Sequence, residues 1–454
     1  MIPARARIGR RALLWGAAAL GFGAGARLAQ AMGRVPLGGE IRLRVPFSTR
    51  SLDPHDLGDP LAAFFGHAIA DPLYARDASG SVYPALADGL PRKDGGECVV
   101  RLRPGLRTAR GKPLGARDLA WSINRSRAMG AAGWLGALDG PAREDRADPL
   151  LVRLGSVEPE LLAGLLCSPL TALLPLRYSP TAPDGTGAFM ARFAPGELEL
   201  VRNPNAARGP SFLARVLVRA APDLADSLRA FEAGHDDVGW LGLGLHGDRA
   251  GARRFDYGEV GWVVLATGKG ADRFGAPGIA QQLADAVPIE RLGHLGLRGR
   301  SGVGPSAAWS GAPAAVLVAQ GEPQLEAIAR AVAAALTQGG HELAVTAVPL
   351  GQLRRALDTG DFVLAVYVVR RVAQGPLGAL LGLATAERAA LGRDIGRHPP
   401  KLGAHTPAHE LTRTLRLGVL GGLHASGGTA PSVLLAAASP EMGGIDLGSS
   451  YVHG

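Results

Sequence analysis

Between Pro313 and Val369 the chain alternates apolar strands with amphipathic helices, and this rhythm limits the possible folds most. Residues 315–318, 343–348 and 362–369 are short apolar runs of strand length. Residues 322–336 repeat apolar side chains at helical spacing and stop at Gly339-Gly340, and 350–357 form a second, shorter helix. A β-α-β-α-β order needs crossover connections, so it predicts an α/β lobe with a mostly parallel sheet.

The chain before Pro313 is built differently. Residues 40–45 alternate in period two, and Leu52-Asp53-Pro54 breaks the strand. A helix is expected over 60–75, then a turn at 77–81, a strand over 98–103 and a helix from Asp118 to Arg127. Further strands are expected at 149–154, 214–218, 237–240 and 262–266, with helices at 158–166 and 223–233. From Leu411 onward the mixed elements are expected to close back on the first part of the chain.

At 454 residues one simple core is too small an account, and two or three lobes are expected. A hydrophobic content of 47% with 20% charged residues is that of a globular chain. Glycine (65) and proline (33) are abundant but follow no period, which excludes collagen and solenoids. The formal charge is +9, yet five of the arginines (Arg5, Arg7, Arg10, Arg11, Arg27) lie in the first 31 residues, which carry no acid. The remainder is +4, dispersed, with only four lysines, and offers no basic stripe for nucleic acid.

Arg5 to Arg11 form a positive segment, 12–26 an apolar one, and Ala29-Gln30-Ala31 supplies the small residues of a cleavage site. The pattern is that of an export signal over 1–31, with a twin-arginine character in Arg10-Arg11; an uncleaved anchor is the other reading. Cys98 and Cys167 can pair outside the cytoplasm or remain buried thiols, and spacing does not choose between them.

Motifs for chemistry are sparse. Residues 242–247 spell G-x-G-x-x-G, but Asp248-Arg249 follows where a dinucleotide fold needs an apolar helix. His405 and His409 stand four apart near His398 and Glu410, among prolines that oppose a long helix, and no metal is expected there. No serine-hydrolase, metalloprotease or phosphate-loop signature occurs, so the expectation is binding without catalysis and without a cofactor.

A run of short blocks in order carries a resemblance. They begin with Leu52-Asp53-Pro54, Asp71-Pro72-Leu73-Tyr74 and the stretch from Val82-Tyr83-Pro84 to Ala87. Leu102-Arg103-Pro104-Gly105-Leu106 and Gly111-Lys112-Pro113-Leu114 with Ala116-Arg117-Asp118 follow. Thr186-Gly187-Ala188-Phe189, Arg202-Asn203-Pro204-Asn205 and Ala233-Gly234-His235-Asp236 continue it, and Gly360-Asp361-Phe362 ends it. The sequence resembles the family 5 extracellular solute-binding proteins, the peptide and oligopeptide receptors of ABC importers.

That resemblance implies an α/β, bilobal, periplasmic-binding-protein-like fold (type II) with an extra small domain inserted in the first lobe. It places lobe I in 32–51, 170–260 and 415–454, the inserted domain in 52–169 and lobe II in 261–414. It further implies a monomer on the periplasmic or extracellular face that presents a small-molecule or peptide ligand to a membrane permease and ATPase complex. Nucleic acid is not among the expected partners. The alternative is a transport-inactive relative serving as a sensor or structural partner.

The expected ligand-binding residues are Tyr367, Arg370, Arg371, Trp240 and Phe47. Peptide-binding members of the family carry an acid after an aromatic at the end of this strand; here Tyr367-Val368-Val369 leads into Arg370-Arg371. Two readings stand: the arginines grip a carboxylate or phosphate, or they are a solvated pair at a strand end. The chain is also short for the family around 267–300.

Overall fold

The computed structural model describes residues 36–453, apart from 78, 241–248, 300–304, 338–339 and 440–442. The expected export segment and the glycine motif at 242–247 lie outside the described residues.

The chain opens with β1 (Glu40–Val45), α1 (Pro60–Ile69), β2 (Tyr74–Arg76), β3 (Val82–Pro84), β4 (Arg92–Asp94) and β5 (Glu97–Arg101). Next come α2 (Ala116–Ala128), β6 (Arg143–Glu144), β7 (Leu151–Arg153) and α3 (Pro159–Leu165). The helix expected over 60–75 stops at Ile69, because Pro72 disfavours helical geometry at Asp71 and removes a donor. Residues 74–76 become a strand instead. Asp59 starts α1 by accepting from the Ala62 N–H, and Pro60 occupies the first turn, where its missing N–H costs nothing. Strands β4, β5, β7 and β6 form a small antiparallel sheet, and the cluster beside it includes Val100, Leu119 and Ile123. Cys98 and Cys167 are both buried, and no disulfide joins them.

After β8 (Phe189–Ala194), β9 (Glu197–Arg202), β10 (Arg215–Ala220), α4 (Leu224–Glu232) and β11 (Val238–Trp240), the chain enters β12 (Arg253–Thr267). Helix α5 (Ile279–Asp285), β13 (Leu297–Arg298), β14 (Ala314–Ala319), α6 (Pro323–Leu336) and β15 (Leu343–Val348) follow. The last elements are α7 (Leu350–Thr359), β16 (Leu364–Arg370), α8 (Gly375–Glu387), α9 (Ala389–Arg397), α10 (Ala408–Leu411), β17 (Leu417–Thr429), β18 (Val433–Ala437) and β19 (Ile445–Val452).

One sheet joins both lobes, in the order β15-β14-β16-β12-β17-β11-β1-β10-β9-β8. At one end β14 pairs parallel with β15 and β16, as the strand–helix rhythm predicts. Helix α6 covers them with Leu325, Ile328, Val332 and Leu336. At the other end β1 pairs parallel with β10 and β11. Between them run the two long strands. The start of β12 meets the end of β17 (Arg253 opposite Thr429), which also pairs with β11. The far half of β12 lies against β16, Gly261 opposite Arg370. β12 is longer than the expected 262–266 because register shifts after Asp256 and Glu259, with Gly258 at φ 86°, let one strand bend from one lobe into the other.

Candidate functional site

The β1–α1 loop is locked by its own acids. Asp53 is buried and takes a two-point grip from Arg125, at 2.9 and 2.5 Å. Burial alone would raise its carboxyl, but the Arg125 guanidinium outweighs burial and holds it below the ordinary range. Asp59 accepts from the Asp53 and Ala62 amides, and burial pushes its carboxyl upward in spite of both. His55 reaches the Ala172 carbonyl through Nε2 at 2.8 Å, and burial lowers it to about 4, so the ring is neutral near pH 7. Asp56 accepts from the Gly58 amide and pairs with Arg354 of α7.

From the other side β16 arrives, wholly buried. Arg370 is 3% exposed and its guanidinium donates to the Pro54 carbonyl at 2.7 Å and the Asp56 carbonyl at 3.3 Å. Its backbone N–H donates to the Leu57 carbonyl. Arg371 donates to the carbonyls of Glu259 and Ala373. Glu322, at the foot of α6, accepts from the Ser48 amide at 3.2 Å, while the Gln324 amide donates to the Pro46 carbonyl. Burial raises the Glu322 carboxyl to about 8, and its second oxygen has no partner among the described residues.

Beside this seam lies a cavity of about 470 Å³. Its walls are residues 56–58, Met129-Gly130, α7, Tyr367 to Val369 and the end of α8. Leu350, Leu353 and Leu357 give the lining apolar surface, and Arg354, Glu387 and Arg388 give it charge. The Tyr367 ring stands in the wall, and burial near Glu387 raises its phenol so that it stays protonated. Among the described residues its hydroxyl has no hydrogen-bond partner, and Arg388 has no ion pair. An apolar group held by leucines, with a polar end on a phenol or guanidinium, is what such a wall suits. A larger groove of about 600 Å³ runs between the β2–β3 turn, α3 and Ala373-Gln374, and holds none of the expected site residues.

The five expected residues thus fall in three places. Tyr367 lines the cavity. Arg370 and Arg371 sit in the seam with their donors on backbone carbonyls, neither of them a solvated strand end. Phe47 and Trp240 are buried in the first lobe around Phe64, with ring centroids 5.4 and 4.3 Å from it. Glu322, Arg354 and Arg388 were not foreseen; the one sequence signal for Glu322 is an acid just before Pro323 at a helix start.

The profile of the bacterial extracellular solute-binding proteins, family 5 middle, matches residues 81–244. No curated protein is a significant sequence match. Among solved structures, the oligopeptide-binding protein AppA from Bacillus subtilis, in complex with a nonapeptide, is similar with a TM-score of 0.66 and 13% identity. That match covers 93% of this chain and 100% of AppA. OppA of Haemophilus influenzae, bound to the peptide RPPGFSPFR, gives 0.67 at 13% identity over 92% of this chain and 100% of its own. AgaA of A. tumefaciens, in complex with agropinic acid, gives 0.64 at 14% identity over 92% and 99%. The family 5 match thus covers residues 81–244, and the fold shared with these solved solute-binding structures continues on both sides of it.

Proposed function

We propose that the chain is an exported receptor of an ABC importer, capturing a small polar ligand between its lobes and presenting it to a permease and ATPase in the membrane. The observation that carries this reading is the 470 Å³ cavity between the β1–α1 loop and β16, with Tyr367 in its wall, in a fold whose lobes are joined by β12 and β17. Strands that bend where they cross are suited to hinge closure. AppA and OppA are described with peptides and AgaA with agropinic acid, so both peptide-like and anionic ligands suit the fold.

The anionic end falls to Arg388 rather than Arg370, since Arg370 has spent its guanidinium on carbonyls. Leu350, Leu353 and Leu357 would take an apolar side chain and Tyr367 a polar group. The activity proposed is binding of the solute. The receptor acts as a monomer without nucleic acid, outside the cytoplasm; no described helix is long and apolar enough to cross a membrane. Calorimetric titration of the mature chain with tetrapeptides, free amino acids and small organic anions tests the reading. Heat of binding from one class, lost in Tyr367→Phe or Arg388→Ala, supports it; silence from all three classes overturns it.

A second reading, a relative that no longer transports and serves as a sensor or structural partner, is favoured by the seam itself. There the chain's own Arg370, Glu322 and Gln324 bridge the two sides.

A further inference from the structure

Arg370 is anchored in one lobe and finished in the other. Its backbone belongs to β16, while its Nη1 lies on the Pro54 and Asp56 carbonyls of the β1–α1 loop. No carboxylate among the described residues forms an ion pair with it: Asp53 is held by Arg125, Asp56 by Arg354, and Asp59 by two backbone amides. Burial lowers the guanidinium from its ordinary value, and these three acids are the charges that oppose this by favouring the protonated form. A planar cation with several donors therefore meets converging carbonyl oxygens in a negative field, with Gly66 leaving its other nitrogen room.

We propose that the β1–α1 loop is a guanidinium-binding site, that the chain fills it with its own Arg370, and that the lobes are thereby held together without a solute. The inference rests on the two-lobed receptor reading for the meaning of closure, but not on any ligand of the Tyr367 cavity. Without the guanidinium, the Pro54 and Asp56 carbonyls lose a shared buried donor. A site vacated in this way should accept a free guanidinium of similar shape.

The test uses the full mature chain, free of solute, as wild type and Arg370→Ala. Hydrogen exchange of amides in 53–58 and 364–370 and the radius of gyration from X-ray scattering report closure. Arg370→Ala is expected to exchange at least about tenfold faster in those two segments, as for loss of a charged buried hydrogen bond. It should also expand, with exchange in β18 and β19 unchanged. Ethylguanidinium at millimolar concentration should reverse both changes, and sodium chloride at equal ionic strength should not. Rescue by both equally, or an Arg370→Ala protein as compact and protected as wild type, overturns the proposal. Should Arg370→Ala not fold, Arg370→Gln keeps one donor pair on a shorter, uncharged side chain: faster exchange at 53–58 supports the latch, and wild-type exchange overturns it. Failure of the cavity titration leaves this rescue intact, so the two readings fail separately.

Discussion

Ser48 and Glu322, 274 positions apart in sequence, meet across the seam through a hydrogen bond of 3.2 Å from the Ser48 amide to a Glu322 carboxyl oxygen. The contact places a raised carboxyl where the β1–α1 loop approaches α6, and it gives the seam a pH dependence.

Glu322 has a folded value near 8 against 4.5 when unfolded, because burial disfavours its charge. Its share of stability is fully present below pH 4.5 and is lost as pH rises toward 8, at no more than about 1.4 kcal/mol per pH unit. Glu322→Gln keeps an acceptor for Ser48 and carries no charge. Thermal unfolding from pH 4 to 9 should show wild type losing stability relative to Glu322→Gln across that window; parallel profiles would refute the assignment.

Arg125 carries the loop. Removing it leaves the Asp53 carboxylate buried and unpaired, which costs about 3 kcal/mol or more. Arg125→Ala should therefore be far less stable in urea than the double variant Asp53→Asn/Arg125→Ala, in which no charge is stranded. Equal losses would show that the pair does not matter as a pair.

Ile328 is fully buried on α6 against the parallel strands. Ile328→Ala is expected to cost about 2–5 kcal/mol by lost burial and cavity formation. Exposed Arg330 on the same helix serves as control, since Arg330→Ala breaks only a surface pair worth under about 1 kcal/mol.

Much of this fold is legible in the residues, and the limits are physical. Period-two alternation marks β1, and a bare apolar run marks β15 at its true ends. The reach of β12 is not legible, because Gly258 and Gly261 bend the strand where sequence shows only breakers. Trp240 and Phe47 look like cleft aromatics until the fold packs them against each other and Phe64, a tertiary contact with no local sign. The contacts of Arg370 are not legible in the sequence, for its acceptors are backbone carbonyls, and every residue has one. Tyr367 was reached through resemblance, and its open cavity came only with α7 and α8 in place.

The most direct measurement of the central claim is thermal shift of the mature chain against peptides, amino acids and organic anions, repeated with Tyr367→Phe and Arg388→Ala. A ligand at 100 times its dissociation constant adds about 2.7 kcal/mol to the folded state. The account predicts such a shift from one ligand class, reduced at least about tenfold in affinity in one of the two variants, as loss of a polar anchor implies. No shift from any class, or a shift that both variants keep in full, would contradict it.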